Sequence, residues 1–243
     1  KFPYGNVLLD QKNEIIGFLG TMISIRINEN KNYTLCNLHT WIVNESHRLN
    51  SYLLLTPLLE KNYAITTFTP LKTLVGLYEK FGFQKIKMNY KIVFLFNVLS
   101  IFKKKKIVIE KDKSKFLKYL NTNELKIYQD HKNLSCLTFL ILDIKNPHNK
   151  SFIVALKKRK KFFSSLDLIY VSNSKLLKDN WLTLSFQIAL NFKVIFSGQN
   201  FLNKNFSAIP DNILISKNFS NDICVKDLPK NYKFDTLYSE FVY

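Results

Sequence analysis

Residues Trp41 to Leu55, WIVNESHRLNSYLLL, pass from an apolar strand through a short polar loop directly into a helix. The loop carries Arg48, one of only three arginines among the 36 basic residues of the chain. A helix that starts this way presents backbone N–H groups with no intrahelical partner. Together with the helix dipole they favour an anion such as a phosphate. The same junction can serve as an ordinary strand-to-helix turn, so the flanking sequence has to decide its meaning.

Upstream, Val7–Asp10 and Glu14–Gly20 flank the polar stretch Asp10–Asn13 and read as a hairpin. A third run, Tyr33–Val43, mixes aromatic and β-branched residues and leads into the loop. Downstream, Asn62–Thr69 is short and β-rich, and Leu71, Leu74, Val75 and Tyr78 recur at helical spacing before Gly82 stops the helix. Phe83–Met88 is a further strand, so the order is strand, strand, strand, helix, strand, helix, strand.

That order, with these residues, resembles the GNAT superfamily of acyl-CoA-dependent N-acyltransferases over residues 5 to 95. Three pieces carry the resemblance: Glu14-Ile-Ile-Gly17-Phe18, the loop from Val43 to Ser51, and Leu77-Tyr-Glu-Lys-Phe-Gly-Phe83. Val43 and Arg48 stand where the family's loop pattern has them. Ser51 and Leu53 stand where the family has Gly and then Gly or Ala, and Glu45 where it commonly has Pro. Glycine there lets the backbone approach phosphates closely, and a serine hydroxyl can donate a hydrogen bond in its place. The resemblance implies an α/β (α+β) fold with a mixed, mostly antiparallel sheet flanked by helices. It implies acetyl-CoA, or another acyl-CoA, as co-substrate and a small-molecule amine as acceptor. The amides of Ile42 and Val43 would hold the pantetheine and polarise the carbonyl, and Arg48, Leu49, Asn50, Ser51 and Tyr52 would grip the pyrophosphate. Tyr78 takes the place of the general acid that returns a proton to the departing thiolate. A phenol with an ordinary pKa near 10 carries its proton at neutral pH and suits that task; the alternative is a tyrosine simply packed on the sheet.

The attacking amine must also lose a proton, and His39, Glu45 and His47 are the candidate bases. His39 is the preferred one, with a structural hydrogen-bonding role as the alternative. Cys36 lies on the same strand, and a buried thiol is the expected state for it.

The expected domains are a GNAT-like acyl-CoA-binding unit over residues 1–102, a basic linker over 103–118 and a degenerate GNAT-like unit over 119–243. The apolar run Ile92–Phe102 is too short to span a bilayer, which needs about 20 such residues, and gives way to four lysines at 103–106. The second half repeats the plan: strands at Ser135–Leu142, Ser151–Lys157 and Leu166–Ser172, a long helix over Ser174–Phe192 capped by Ser172 or Asn173, and a strand at Lys193–Phe196. Its loop has no Arg-x-x-Gly pattern, which suits a half that shapes the acceptor pocket or mimics a dimer partner rather than binding a second cofactor. The acidic end Asp235–Glu240 reads as a strand edge or a pocket wall.

A net charge of +18 draws phosphates, and Lys157–Lys161 beside Phe162 and Phe163 could form a patch for them. The basic residues are overwhelmingly lysine and spread along the chain, whereas bidentate recognition leans on arginine. No specific nucleic-acid partner and no stable membrane insertion are therefore expected. Cys36, Cys136 and Cys224 are far apart, without CxxC spacing or a Cys/His cluster, which points to no metal site and a reducing, cytoplasmic setting. The sequence begins at Lys1 in the approach to a strand, so an N-terminal portion is expected to precede it. Two other classes remain open: a module of the same fold that has lost the cofactor, and a lysine-rich binder of RNA or membrane surfaces.

Overall fold

The computed structural model describes residues 2–28, 31–96, 106–160, 163–202, 207–210, 216–229, 232, 235–239 and 241–242. The chain forms two compact units, one from residues 1–87, 222–233 and 238–241 and the other from residues 88–221, 234–237 and 242–243.

In the first unit β1 (Gly5–Leu9) and β2 (Ile15–Asn28) make the expected hairpin. The Asp10 carboxylate accepts the amides of Lys12 at 2.7 Å and Glu14 at 2.9 Å, and Asn13 takes a left-handed φ of 63°, so polar turn residues close the loop with their own side chains. β3 (Lys31–Val43) runs antiparallel to β2, and β4 (Tyr63–Thr67) runs parallel to β3. The far side of β4 is closed by the end of β11 (Ser216–Lys226), with Cys224 opposite Thr67 and Lys226 opposite Ile65. Leu19, Cys36, Leu38, Leu54, Leu55, Leu58, Ile65, Tyr78, Phe83 and Cys224 form the core.

The segment after Val43 departs from the expected helix. Glu45–Leu54 winds as a 3-10 helix, followed by one α-helical turn, α1 (Thr56–Leu59). Pro57 has no N–H to offer the carbonyl of Leu53, which instead accepts the Thr56 hydroxyl at 3.0 Å. Only Leu54 of the 3-10 stretch is buried, so little packing exists to impose the longer α-helical repeat. The second expected helix forms as a 3-10 turn at Lys72–Leu74 leading into α2 (Val75–Lys80). Its end is a Schellman motif: Gly82, at φ 81°, sends its amide to Glu79 O at 3.0 Å, and Phe83 sends its amide to Tyr78 O at 3.1 Å.

β5 (Gln84–Phe94) starts in the first unit, and its residues 89–94 pair antiparallel with β10 (Phe196–Phe201) in the second. β10 is parallel to β9 (Phe163–Val171), and the antiparallel series continues through β8 (Lys150–Lys160), β7 (Leu137–Asp143) and β6 (Ile107–Glu110). The interval expected as linker carries β6 and α3 (Lys113–Phe116), capped by the Asp112 carboxylate on the Ser114 amide; residues 97–105 lie outside the described residues. α4 (Thr122–His131) opens with a capping box between Asn121 and Glu124. The long helix expected over Ser174–Phe192 is two, α5 (Ser174–Asp179) and α6 (Trp181–Phe192), with Asn173 capping the first by accepting the Leu176 amide at 3.1 Å. The break falls at Asn180, whose side-chain amide donates to Leu176 O at 3.0 Å and competes for helical carbonyls. α6 ends at Lys193 in a left-handed conformation, which delays β10 to Phe196.

The two units follow one plan. Three antiparallel strands (β1–β2–β3, and β7–β8–β9) are joined by a parallel fourth (β4, β10) and an antiparallel closing strand. The closing strand of each comes from the other half of the sequence, β11 for the first unit and β5 for the second.

Candidate active-site cleft

In the first unit the parallel ladder between β3 and β4 stops at Asn37 opposite Thr66, while β3 continues to Val43. Within that continuation the register with β2 slips: Gly20 faces His39 but Leu19 faces Trp41, so Thr40 is an extra, bulged residue. Thr40 has φ 49°, a left-handed conformation that costs a β-branched residue of order 1–3 kcal/mol and persists only where its surroundings impose it. The bulged stretch of β3 lines a cleft of about 280 Å³, whose other side is formed by Thr67 to Leu71, Leu74 and, from α2, Tyr78.

Burial sets the depth of the cleft. Ile42 and Leu71 are 63 % and 61 % exposed at its mouth, whereas Leu19, Leu38, Thr67 and Tyr78 are buried at its floor. The Tyr78 ring meets Trp41 edge-on at 5.6 Å and Phe83 at 5.1 Å, and Thr67 lines the cleft with it. Burial pushes the phenol well above its usual pKa. Tyr78 therefore stays protonated in every neutral buffer. His39 also lines the cleft; its imidazole lies over Gly20, where an added Cβ would sit 2.5 Å from Cε1, and its Nδ1 is 2.9 Å from the Thr40 hydroxyl.

The other two candidate bases lie elsewhere. His47, with Asn50 and Leu53, lines a separate groove of about 380 Å³ against the β1–β2 hairpin, and Glu45 is exposed and pairs with Arg48 at 3.4 Å. Leu49 is 91 % exposed, Ser51 is half-buried and Tyr52 stacks on Phe81 at 6.5 Å. Leu53 faces this groove rather than the core. Cys36 is fully buried in the same core cluster as Tyr78, and burial pushes its thiol up to about 12, a state without nucleophilic character. The sequence assigns no site role to Thr40 or Thr67 and names Trp41 only as the start of its stretch; no local signal marks a bulge at a threonine.

The second unit packs its own chain into its core. Ala208 and Ile209 are fully buried in the cluster that holds Val171, Leu176 and Leu177, and the Ala208 amide donates to Gln199 Oε1 at 2.6 Å. Of the basic run at Lys157–Lys161, Lys157 donates to Phe192 O at 2.8 Å and Lys158 pairs with Asp167 at 2.8 Å; Lys161 and Phe162 lie outside the described residues. Among the described residues no group of His, Cys, Asp and Glu could hold a metal ion, and no helix is long and apolar enough to cross a membrane.

No family model and no curated protein matches the sequence. Solved structures do match by shape. A GCN5-related N-acetyltransferase from Anabaena variabilis aligns over 90 % of this chain and 61 % of its own with a TM-score of 0.60 and 10 % identity. One from Kribbella flavida aligns over 89 % and 59 % with a TM-score of 0.56 and 10 % identity. A GCN5-related glucosamine N-acetyltransferase region of a fungal multi-domain β-N-acetylglucosaminidase aligns over 90 % and 32 %, with a TM-score of 0.55 and 14 % identity. The chain thus spans about three-fifths of the first two and a third of the last. Strand plan, bulge and comparison agree: this chain has the fold of the GCN5-related N-acetyltransferases.

Proposed function

We propose that the first unit is an acyl-CoA-dependent N-acyltransferase that moves an acetyl or other acyl group to the amine of a small molecule by direct attack on the thioester. The observation that carries this reading is the bulged stretch of β3 at Thr40, which lies beyond the end of the β3–β4 ladder at Asn37 and lines a cleft with a protonated phenol at its floor. The residues present suit the co-substrate. The backbone at Ile42 and Val43 would hold the pantetheine arm, and the Trp41 indole N–H, buried in the cleft wall without a partner, would meet an amide carbonyl of that arm. Arg48 and the segment through Leu49, Asn50, Ser51 and Tyr52 would face the pyrophosphate. His39 takes the proton of the amine, the amine nitrogen bonds to the carbonyl carbon, and Tyr78 protonates the departing thiolate. The site needs no metal, and the three free thiols suit a reducing cytoplasm. The test is release of free thiol from acetyl-CoA in the presence of glucosamine, lysine or spermidine. Amine-dependent release supports the reading, and no release with any of them, at any acyl length from acetyl to octanoyl, sinks it.

A second reading, a module of the same fold that no longer binds the cofactor, is favoured by the Glu45–Arg48 ion pair and by the lack of glycine throughout residues 43–55. Arg48→Ala separates the two, since only a coenzyme A binder loses affinity by it.

A further inference from the structure

Trp41 stands on the cleft side of β3 because of the bulge. With Thr40 as an extra residue, Trp41 lies opposite Leu19, which is buried and lines the cleft. A regular register running on from Gly20 and His39 would set Trp41 opposite Phe18, on the other face of the sheet. The left-handed φ of 49° at Thr40 is the strain that goes with this placement. The indole packs against the cluster that holds Leu19, Leu38 and Tyr78, and meets the Tyr78 ring edge-on at 5.6 Å. Yet its N–H is shielded from water and has no acceptor among the described residues. A buried indole N–H ordinarily finds a partner, so a donor left without one on a cleft wall is a place for a ligand's acceptor.

Resting on the acyltransferase reading above, we propose that Trp41 selects the acyl donor: its indole N–H donates to the amide carbonyl nearest the thioester, the one that ends the cysteamine segment of pantetheine. Two methylene carbons and the amide nitrogen separate the sulfur from that carbonyl carbon, a span of about 5 Å in an extended chain. The Tyr78 and Trp41 rings are 5.6 Å apart, so with Tyr78 at the sulfur the first amide falls to Trp41 and the second lies beyond it. The donor recognised in this way is an acyl thioester of pantetheine, and the nucleotide end takes no part in the contact. A thioester with hydrocarbon in place of the amide leaves the buried N–H unpaired, which a site built around a hydrogen bond penalises far more than a change of shape.

The test crosses a change in the donor with a change in the protein, read as kcat/KM by thiol release with whichever of the three amines the wild-type chain accepts. S-acetyl-N-acetylcysteamine keeps the thioester and that one amide; S-pentyl thioacetate has carbons in its place. The wild-type chain is expected to use the first about tenfold better than the second. In Trp41→Phe, which keeps an aromatic ring against Tyr78 but has no N–H, the preference should shrink to about twofold or less. A ratio near one in the wild-type chain overturns the proposal without any variant, and an undiminished ratio in Trp41→Phe overturns it by assigning the indole to packing. A chain that turns over acetyl-CoA but not S-acetyl-N-acetylcysteamine overturns it as well, since recognition would then rest on the rest of the cofactor. Failure of the acyltransferase reading itself shows separately, as a wild-type chain that releases no thiol from acetyl-CoA, and the proposal falls with it.

Discussion

The amide of Phe83 donates to the carbonyl of Tyr78 at 3.1 Å while the two rings pack 5.1 Å apart, so the turn that ends α2 also fixes the side chain at the floor of the cleft. Gly82 between them makes this possible, because the motif needs a left-handed residue there.

Tyr78→Phe should therefore keep the fold and the cofactor affinity and lower kcat by about 10²-fold, the range of a lost general acid. Steady-state kinetics beside calorimetric binding of acetyl-CoA check this; a rate within twofold of wild type removes Tyr78 from the reaction.

Two glycines, Gly76 within α2 and Gly82 just past its end, should respond in opposite senses. Gly82→Ala forces a Cβ into a left-handed residue and should cost about 1 kcal/mol. Gly76, exposed in α2 with nothing within 4 Å of an added Cβ, should gain about 0.5–1 kcal/mol on Gly76→Ala. Urea unfolding of the two variants reads both.

With His39 as the base, Gly20→Ala should act through it. The new Cβ would lie 2.5 Å from the imidazole and push it off its place over β2. Turnover should fall in Gly20→Ala in the same direction as in His39→Gln, with coenzyme A affinity kept in both; a normal rate in His39→Gln assigns the ring to structure.

Cys36, Tyr78 and Tyr90 all have folded pKa values raised by burial, Tyr90 additionally by the Asp167 carboxylate that accepts its hydroxyl at 3.0 Å. Their contribution to stability is complete below the unfolded-state values, near 9 for a thiol and 10 for a phenol, and is lost as pH rises through the folded ones. Stability measured by denaturant should decline from about pH 9 upward, and Tyr90→Phe should make the decline shallower. A stability flat from pH 8 to 11 contradicts the burial of these groups.

The hairpin at Asp10–Asn13, the strand at Tyr33–Val43 and the stop at Gly82 were legible because each rests on neighbours in sequence: an Asx turn, an apolar run, a C-cap. The bulge at Thr40 was not, since a threonine adopts φ 49° only where its tertiary surroundings impose it, here the shifted pairing with β2. β11 was missed for a related reason. Its first seven residues, SKNFSND, are exposed and, Phe219 apart, polar, and the buried Ile223–Val225 that close the first unit are too few to show a period. The 3-10 course of Glu45–Leu54 was hidden by apolar residues at helical spacing, several of which, Leu49 and Leu53 among them, face outward.

Calorimetric titration of the whole chain with acetyl-CoA tests most directly whether the cleft beside Thr40 is a coenzyme A site. One saturable site per chain, weakened at least tenfold by Arg48→Ala, is the expected result, since the second unit's loop at Val171–Lys175 carries no arginine. No saturable binding would contradict the assignment of the cleft, and two equivalent sites would contradict its restriction to the first unit.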